Sequence, residues 1–354
     1  DIVITPTVSF EIRNNTNTGL LVGNVTRGDT FYLRATLTPG DTNTALQAGA
    51  VNFIKSDGSA FNLSAVGSSI VGPNRVYDYK VDTSTPGFTI PLAPANTLKA
   101  QYTGYVDGVV ANGFYRSVET ATQNLVIVGR NPDLQISSAT ASPIKYGQSA
   151  TYSAALTGST GIKFDGGTLT LVDNAIPVAG ATYTLPNLAS TVAVDSTTRN
   201  FTVTPSVGTH NYDLTYSGDG FNYEPRIGVN IGAPLPLTVG QADATSSNLS
   251  APIYAAQGSS VPLSVNLANS IGALPAGLSL PTGTVSFYAT SGASRVLLGR
   301  STNSNPASGA FTFNYTTTAG GSYPITIDYS GDGNYLSLTN QPFGTLIVPT
   351  ISLN

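Results

Sequence analysis

Along most of the chain, apolar and polar residues alternate with a period of two. "TFYLRATL" (30–37), "ATYSAAL" (150–156) and "VPLSVNL" (261–267) put one side chain in and the next out, the pattern of a half-buried β-strand. "NYDLTY" (211–216) and "YPITIDY" (323–329) do the same. Short runs of Gly, Pro, Asn and Asp separate these stretches and read as turns. Asn112-Gly113 carries the signature of a type I′ hairpin turn. No stretch sustains apolar residues at helical spacing, so almost no helix is expected.

The pattern repeats. "LTYSGDGFNY" ends at Tyr223 and "IDYSGDGNY" at Tyr335. Their leading tyrosines, Tyr216 and Tyr329, stand 113 residues apart, and Tyr102 in "AQYTGYVDG" stands 114 before Tyr216. "ASPIKYGQSATYSAAL" (141–156) matches "SAPIYAAQGSSVPLSV" (250–265), with "VTRGDTFYLRATL" (25–37) as the first counterpart. "AVNFI", "GTLTLV" and "GTVSFY" mark a later strand of each copy. A unit of about 115 residues suits an immunoglobulin-like sandwich. The chain is therefore expected to be all-β, three such sandwiches in series: 1–129 (divergent), 130–239 and 240–354.

The run "P…GQS…GTVSFY…G…YSGDxNY" resembles the bacterial immunoglobulin-like repeat domains of large cell-surface proteins. Residues 133–239 and 240–348 follow it well. Residues 1–129 follow it weakly, with "TGYVDGVVANGFY" in place of the Gly-Asp-x-Asn-Tyr core. The resemblance implies the fold, an extracellular cell-surface location, and a role as spacer, adhesin stalk or assembly module.

Composition narrows the chemistry. The 354 residues are 40% hydrophobic but only 10% charged, with a net charge of −4, against about 25% charged in an average soluble protein. With 18 Tyr and 13 Phe the chain is no disordered tract. Its five lysines (Lys55, Lys80, Lys99, Lys145 and Lys163) form no basic patch, so no nucleic-acid partner is expected. Cys is absent, which removes disulfides and thiolate metal sites, and Met and Trp are absent too. No apolar run approaches the length of a transmembrane segment. The chain opens on Asp1 rather than Met, which we read as a removed leader or an excised segment.

Catalytic equipment is thin. His210 is the single histidine, and the three glutamates, Glu11, Glu119 and Glu224, are scattered over the units, so no enzyme is expected. No cofactor is expected either. Asp219 and Asp332 in the two "SGDG" runs are the only calcium candidates. One carboxylate per loop is fewer than the six to eight oxygens calcium takes, so a turn held by Asp and permitted by Gly is the preferred reading. Tyr77, Tyr79, Tyr105 and Tyr115 are candidate glycan contacts, with ordinary cross-strand packing the preferred reading.

The two ends look alike: "DIVITPTVSF" opens the chain and "TLIVPTISLN" closes it. Both resemble the internal junction "LVIVGRNPDLQI", with Pro6 and Pro349 at the bends. The expected partner is therefore a second copy of the chain, joined head to tail into a filament or surface layer by terminal strands. Ile2, Val3, Ile4 and Ile351, Ser352, Leu353 are the residues assigned to that exchange. The alternatives are a spacer cut from a longer array, and an adhesin whose first domain binds a glycan or a host protein.

Overall fold

A computed structural model describes residues 3–40, 49–61, 67–85, 88, 90–92, 96–106, 114–189, 193–228, 234–247, 252–291 and 294–350. Among them the regular structure is β throughout, and no helix is long and apolar enough to cross a membrane. The chain forms three β-sandwiches in series, as its alternation implies.

The second and third units share one plan. In the second, Asp133–Ser138, Ala150–Thr157 and Ser196–Val203 make one sheet. The other runs in the order Ile144–Lys145, Leu235–Gly240, Gly208–Tyr216, Thr168–Asp173, Ile176–Thr184. The third unit repeats this with Ala244–Ser246, Ser260–Asn269 and Ala310–Thr316 facing a sheet of Ile253–Tyr254, Leu338–Val348, Gly321–Tyr329, Gly283–Ser291 and Ser294–Asn303. The first unit departs from it. There Gly67–Val71 pairs with Asn74–Asp82 in the sheet of Thr7–Arg13 and Thr30–Thr38, so the strand after Val51–Lys55 has changed sheets.

Alternation explains the cores. Ser260–Asn269 is exposed and buried at successive positions over its whole length, and Thr30–Thr38 buries every second residue. The inward residues of facing sheets meet in three clusters, around Leu33 and Phe53, around Leu171 and Tyr216, and around Leu263 and Phe287. Register confirms the sequence alignment: Tyr102, Tyr216 and Tyr329 pair with Val51, Leu169 and Val285, and all three tyrosines are fully buried. The hairpin expected at Asn112-Gly113 lies outside the described residues.

Candidate functional site: the poles and joints of the units

Each unit has a proximal pole, where the chain enters, and a distal pole. At the proximal pole a tyrosine closes the core. Tyr223 and Tyr335 are fully buried, and Tyr115 is buried at the same place in the first unit. Each forms a parallel bridge with the residue that enters the unit: Ile4 with Tyr115, Arg130 with Tyr223, Ala242 with Tyr335. The next amide then bonds back in every case, Arg116 N to Ile4 O (3.1 Å), Glu224 N to Arg130 O (3.0 Å) and Leu336 N to Ala242 O (2.9 Å).

The "SGDG" loops hold Tyr223 and Tyr335. Asp219 Oδ1 accepts the amides of Phe221, Asn222 and Tyr223 at 3.0, 2.7 and 2.9 Å, and its Oδ2 accepts Asp165 N at 2.9 Å. Asp332 Oδ1 accepts Asn334 N and Tyr335 N at 2.7 and 2.8 Å, and its Oδ2 accepts the amide and hydroxyl of Thr282. Gly218 and Gly331, at φ 76° and 74°, adopt the left-handed turn that a side chain would strain. Burial alone would raise the Asp332 carboxyl. The Thr282 and Asn334 amides outweigh it and hold the group below its ordinary value. Both oxygens of each carboxylate are thus engaged by amide and hydroxyl donors, which supports a structural turn. Among the described residues no three His, Asp or Glu side chains gather as a metal site.

At the distal pole a short parallel pairing (Val25 with Ile127, Ile144 with Val239, Ile253 with Leu346) sets up the residue that follows. These residues are Arg27, Tyr146 and Ala255, whose amides bond to Val128 O, Gly240 O and Ile347 O. Arg27 is 2% exposed. It reaches into the second unit, its Nε donating to Asn222 Oδ1 at 2.6 Å, and its guanidinium lies 4.6 Å from the Phe88 ring centre. Burial pulls its pKa down to about 10, against the raising influence of Asp219 and Asp165, so it stays cationic at neutral pH. Around it, Leu92 N donates to Gly220 O and Gly129 N to Glu224 Oε1, while Arg130 bridges to Arg27 O and Asp29.

The second joint is built differently. Tyr146 leaves the second unit and enters the core of the third, where it is 3% exposed. Its ring meets Tyr335 edge-on, centres 5.6 Å apart at 80°. Its hydroxyl accepts Ser279 N at 2.8 Å, and its carbonyl accepts Asn269 Nδ2 at 3.2 Å. Val207 also packs on the third core, and Lys145 pairs with Asp243.

A recurrent hollow lies beside each distal pole. Its floor is Lys55 and Asn96 in the first unit, Asp173 and His210 in the second, Ala289 and Tyr323 in the third, at matching register positions. The volumes are about 210, 520 and 180 Å³. His210 Nδ1 faces Asp173 Oδ2 at 2.5 Å and Nε2 faces the Ser206 carbonyl at 2.9 Å. With both ring nitrogens engaged and no hydroxyl nucleophile on either, this arrangement lacks the geometry of a Ser-His-Asp triad.

The other site residues fall as follows. Tyr77 and Tyr79 are 6% and 8% exposed and donate their hydroxyls to Gly49 O and Val51 O. Tyr115 is 8% exposed. These three rings are taken up by packing, the reading preferred over glycan contact, and the glycan candidacy of these three positions is set aside. Tyr105 pairs in backbone register with Tyr115. Val3 and Ile4 are hydrogen-bonded within their own unit, opposite Phe114 and Tyr115. Ile2, Ile351, Ser352 and Leu353 lie outside the described residues. Arg27 and Tyr146 were missed from sequence, because a buried Arg is invisible to hydropathy and a Tyr just past a strand resembles any other. Aligning "VTRG", "IKYG" and "IYAA" would have marked one variable position after the pairing.

No family model matches the chain. No curated protein matches it either. Among solved structures, the chain is similar to the ICAM-5 D1–D4 ectodomain fragment at 14% identity and a TM-score of 0.31, over 97% of this chain and 77% of that one. The three N-terminal domains of the highly immunogenic outer capsid protein of bacteriophage RB49 match at 11% identity and 0.25, covering 99% and 100%. The I9–I11 tandem of titin matches at 10% and 0.23, covering 97% and 98%.

Proposed function

We propose that this chain is a structural, non-enzymatic extracellular protein whose three sandwiches are locked in series and which joins other copies head to tail into a surface filament or layer. The observation that carries this reading is the repetition of one joint. At both internal junctions a buried distal-pole residue of one unit bonds to or packs in the next, and Ile4 repeats on the first unit the bridge that Arg130 and Ala242 make. Residues that would serve chemistry are spent on turns and packing instead. In this reading the terminal sequences complete the contact between copies: the one that follows Pro349, and the one that leads into Val3–Ile4 of the first unit.

The test is sedimentation velocity across a range of concentrations with negative-stain imaging of the intact protein. Growing species and fibres or sheets are expected, and a chain that stays monomeric at every concentration refutes the proposal. Deleting 350–354 should leave folding intact and stop assembly. A second reading, an adhesin, has one observation in its favour. The first unit exposes Leu20 (61%), Val22 (93%), Ile70 (57%) and Val71 (59%), aliphatic groups that suit a protein partner better than a glycan. Capture of a defined host protein by wild type, lost in Val22→Asp, would establish it.

A further inference from the structure

The internal joints identify positions, not merely surfaces. Thr26, Lys145 and Tyr254 are equivalent, as are Arg27, Tyr146 and Ala255. At the second joint Lys145 reaches Asp243 in the following unit and Tyr146 reaches Tyr335. In the third unit the plugging position is small and the one before it is large: Tyr254 is 69% exposed, and Ala255 stands where a long side chain plugs the other joints. The pole around it is well formed. Thr317, 2% exposed, donates to Ala256 O at 2.7 Å, and Gln257 Nε2 donates to Thr318 O at 3.0 Å. Thr317 also donates to Ser259 O at 3.3 Å, the counterpart of the bond that Thr83 on the first unit, also 2% exposed, makes to Asp29 O at 2.8 Å beneath a filled joint.

The complementary half is on the same chain. Ile4 and Tyr115 form the bridge that Ala242 and Tyr335 form under Tyr146. Thr5, exposed, is the counterpart of Asp243. We infer that Tyr254 and its pole are the docking surface for the proximal pole of a second copy, with Tyr254 opposite that copy's Thr5 and Ile4. This rests on the head-to-tail reading above and adds the surface that performs it. The argument is continuity with an interface the chain already builds twice. The chemistry differs in one respect. The internal joints carry the ion pairs Arg130–Asp29 and Lys145–Asp243, whereas residues 253–257 and 3–6 carry no charge. At Tyr254 the contact between copies is therefore apolar and hydrogen-bonded, with the exposed Arg116 beside the Ile4 bridge left at its edge, so salt screening acts on it only weakly.

The experiment uses the full chain and two variants. Tyr254→Asp places a charge in the contact and should raise the concentration for half-assembly at least tenfold, with an unchanged melting curve because the side chain is exposed. The chain has no Cys, so Gln257→Cys introduces a unique thiol at the rim while keeping Tyr254. It should react freely with a maleimide in dilute protein, lose reactivity on concentration, and do so to a similar extent in low and high salt. If wild type never assembles, this inference and the proposed function both fall. If wild type assembles while Tyr254→Asp assembles equally and the thiol stays open, the function stands and this surface is wrong. Should Tyr254→Asp fail to fold, the thiol measurement decides alone.

Discussion

Replacing Tyr146 by Ala measures how firmly the second and third units are coupled. The ring is 3% exposed, packs edge-on against Tyr335, and accepts Ser279 N at 2.8 Å. Deleting a buried aromatic ring costs about 3–5 kcal/mol where the site cannot collapse. Within that total lie about 0.5–1.5 kcal/mol for the aromatic pair and about 1–3 kcal/mol for a buried amide left without its acceptor. For a domain of this size, 1 kcal/mol moves the melting temperature by roughly 4 °C, so the third unit should melt on the order of 10–20 °C earlier. Differential scanning calorimetry of the full chain resolves this, because only one of the transitions should move far. Tyr146→Phe keeps the ring and loses the acceptor, and should fall between, at about 1–2 kcal/mol. Small-angle scattering should show a broader spread of interunit distances in Tyr146→Ala. If the variant leaves every transition and the scattering profile unchanged, the third unit closes without its neighbour and the joint is a bystander contact.

Arg27→Met should uncouple the first joint, because the partners of the guanidinium (Asn222 Oδ1 and the carbonyls of Phe88 and Ile90) lose their donor. A loss of about 1–3 kcal/mol in the first or second transition is expected, and a more stable protein would refute the buried-donor account. Asp219→Ala strips the acceptor from four amides and should lower the second transition by about 2–4 kcal/mol. The wild-type melt should not respond to a chelator, and a fall of many degrees on chelation would instead reveal a bound cation. Acid should weaken the protein through Asp78, Asp328 and Asp332, whose carboxyls the fold holds below their ordinary value. Arg34 is the main cause for Asp78 and Arg295 for Asp328. Groups depressed in the folded state stabilise it above the unfolded pKa near 4, and that contribution is lost as pH falls through the lower folded values. Melting temperature should be flat from pH 7 to about 5 and drop towards pH 2. A maximum at pH 3 would contradict this.

Much of the fold was legible in the sequence because alternation is a direct print of burial. The run at 260–269 buries every second residue, and the spacing of Tyr102, Tyr216 and Tyr329 returned the register of three separate sheets. The turn role given to Asp219 and Asp332 was readable too, since Gly on either side leaves few other uses for a lone carboxylate. The strand 67–71 was not placed in its sheet, because a short edge strand exposed at every position can join either neighbour and its own residues do not choose. Glycan contact and packing could not be told apart at Tyr77, Tyr79 and Tyr115 from sequence for a related reason. A tyrosine looks the same in sequence whether its hydroxyl meets water or, as in Tyr77 and Tyr79, a backbone carbonyl inside the sandwich. The joints were illegible because their residues act across a boundary that local pattern cannot cross.

That the third core is closed by a ring supplied from upstream bears on biosynthesis. A ribosome delivers Tyr146 more than a hundred residues before the cavity it fills exists. The second sandwich can therefore mature first and wait as a template, and the third seals only once that ring is presented. Order of synthesis and order of closure then run the same way. A nick between these two units would leave the downstream piece with an open end, exposed to proteases from the side where its neighbour had been.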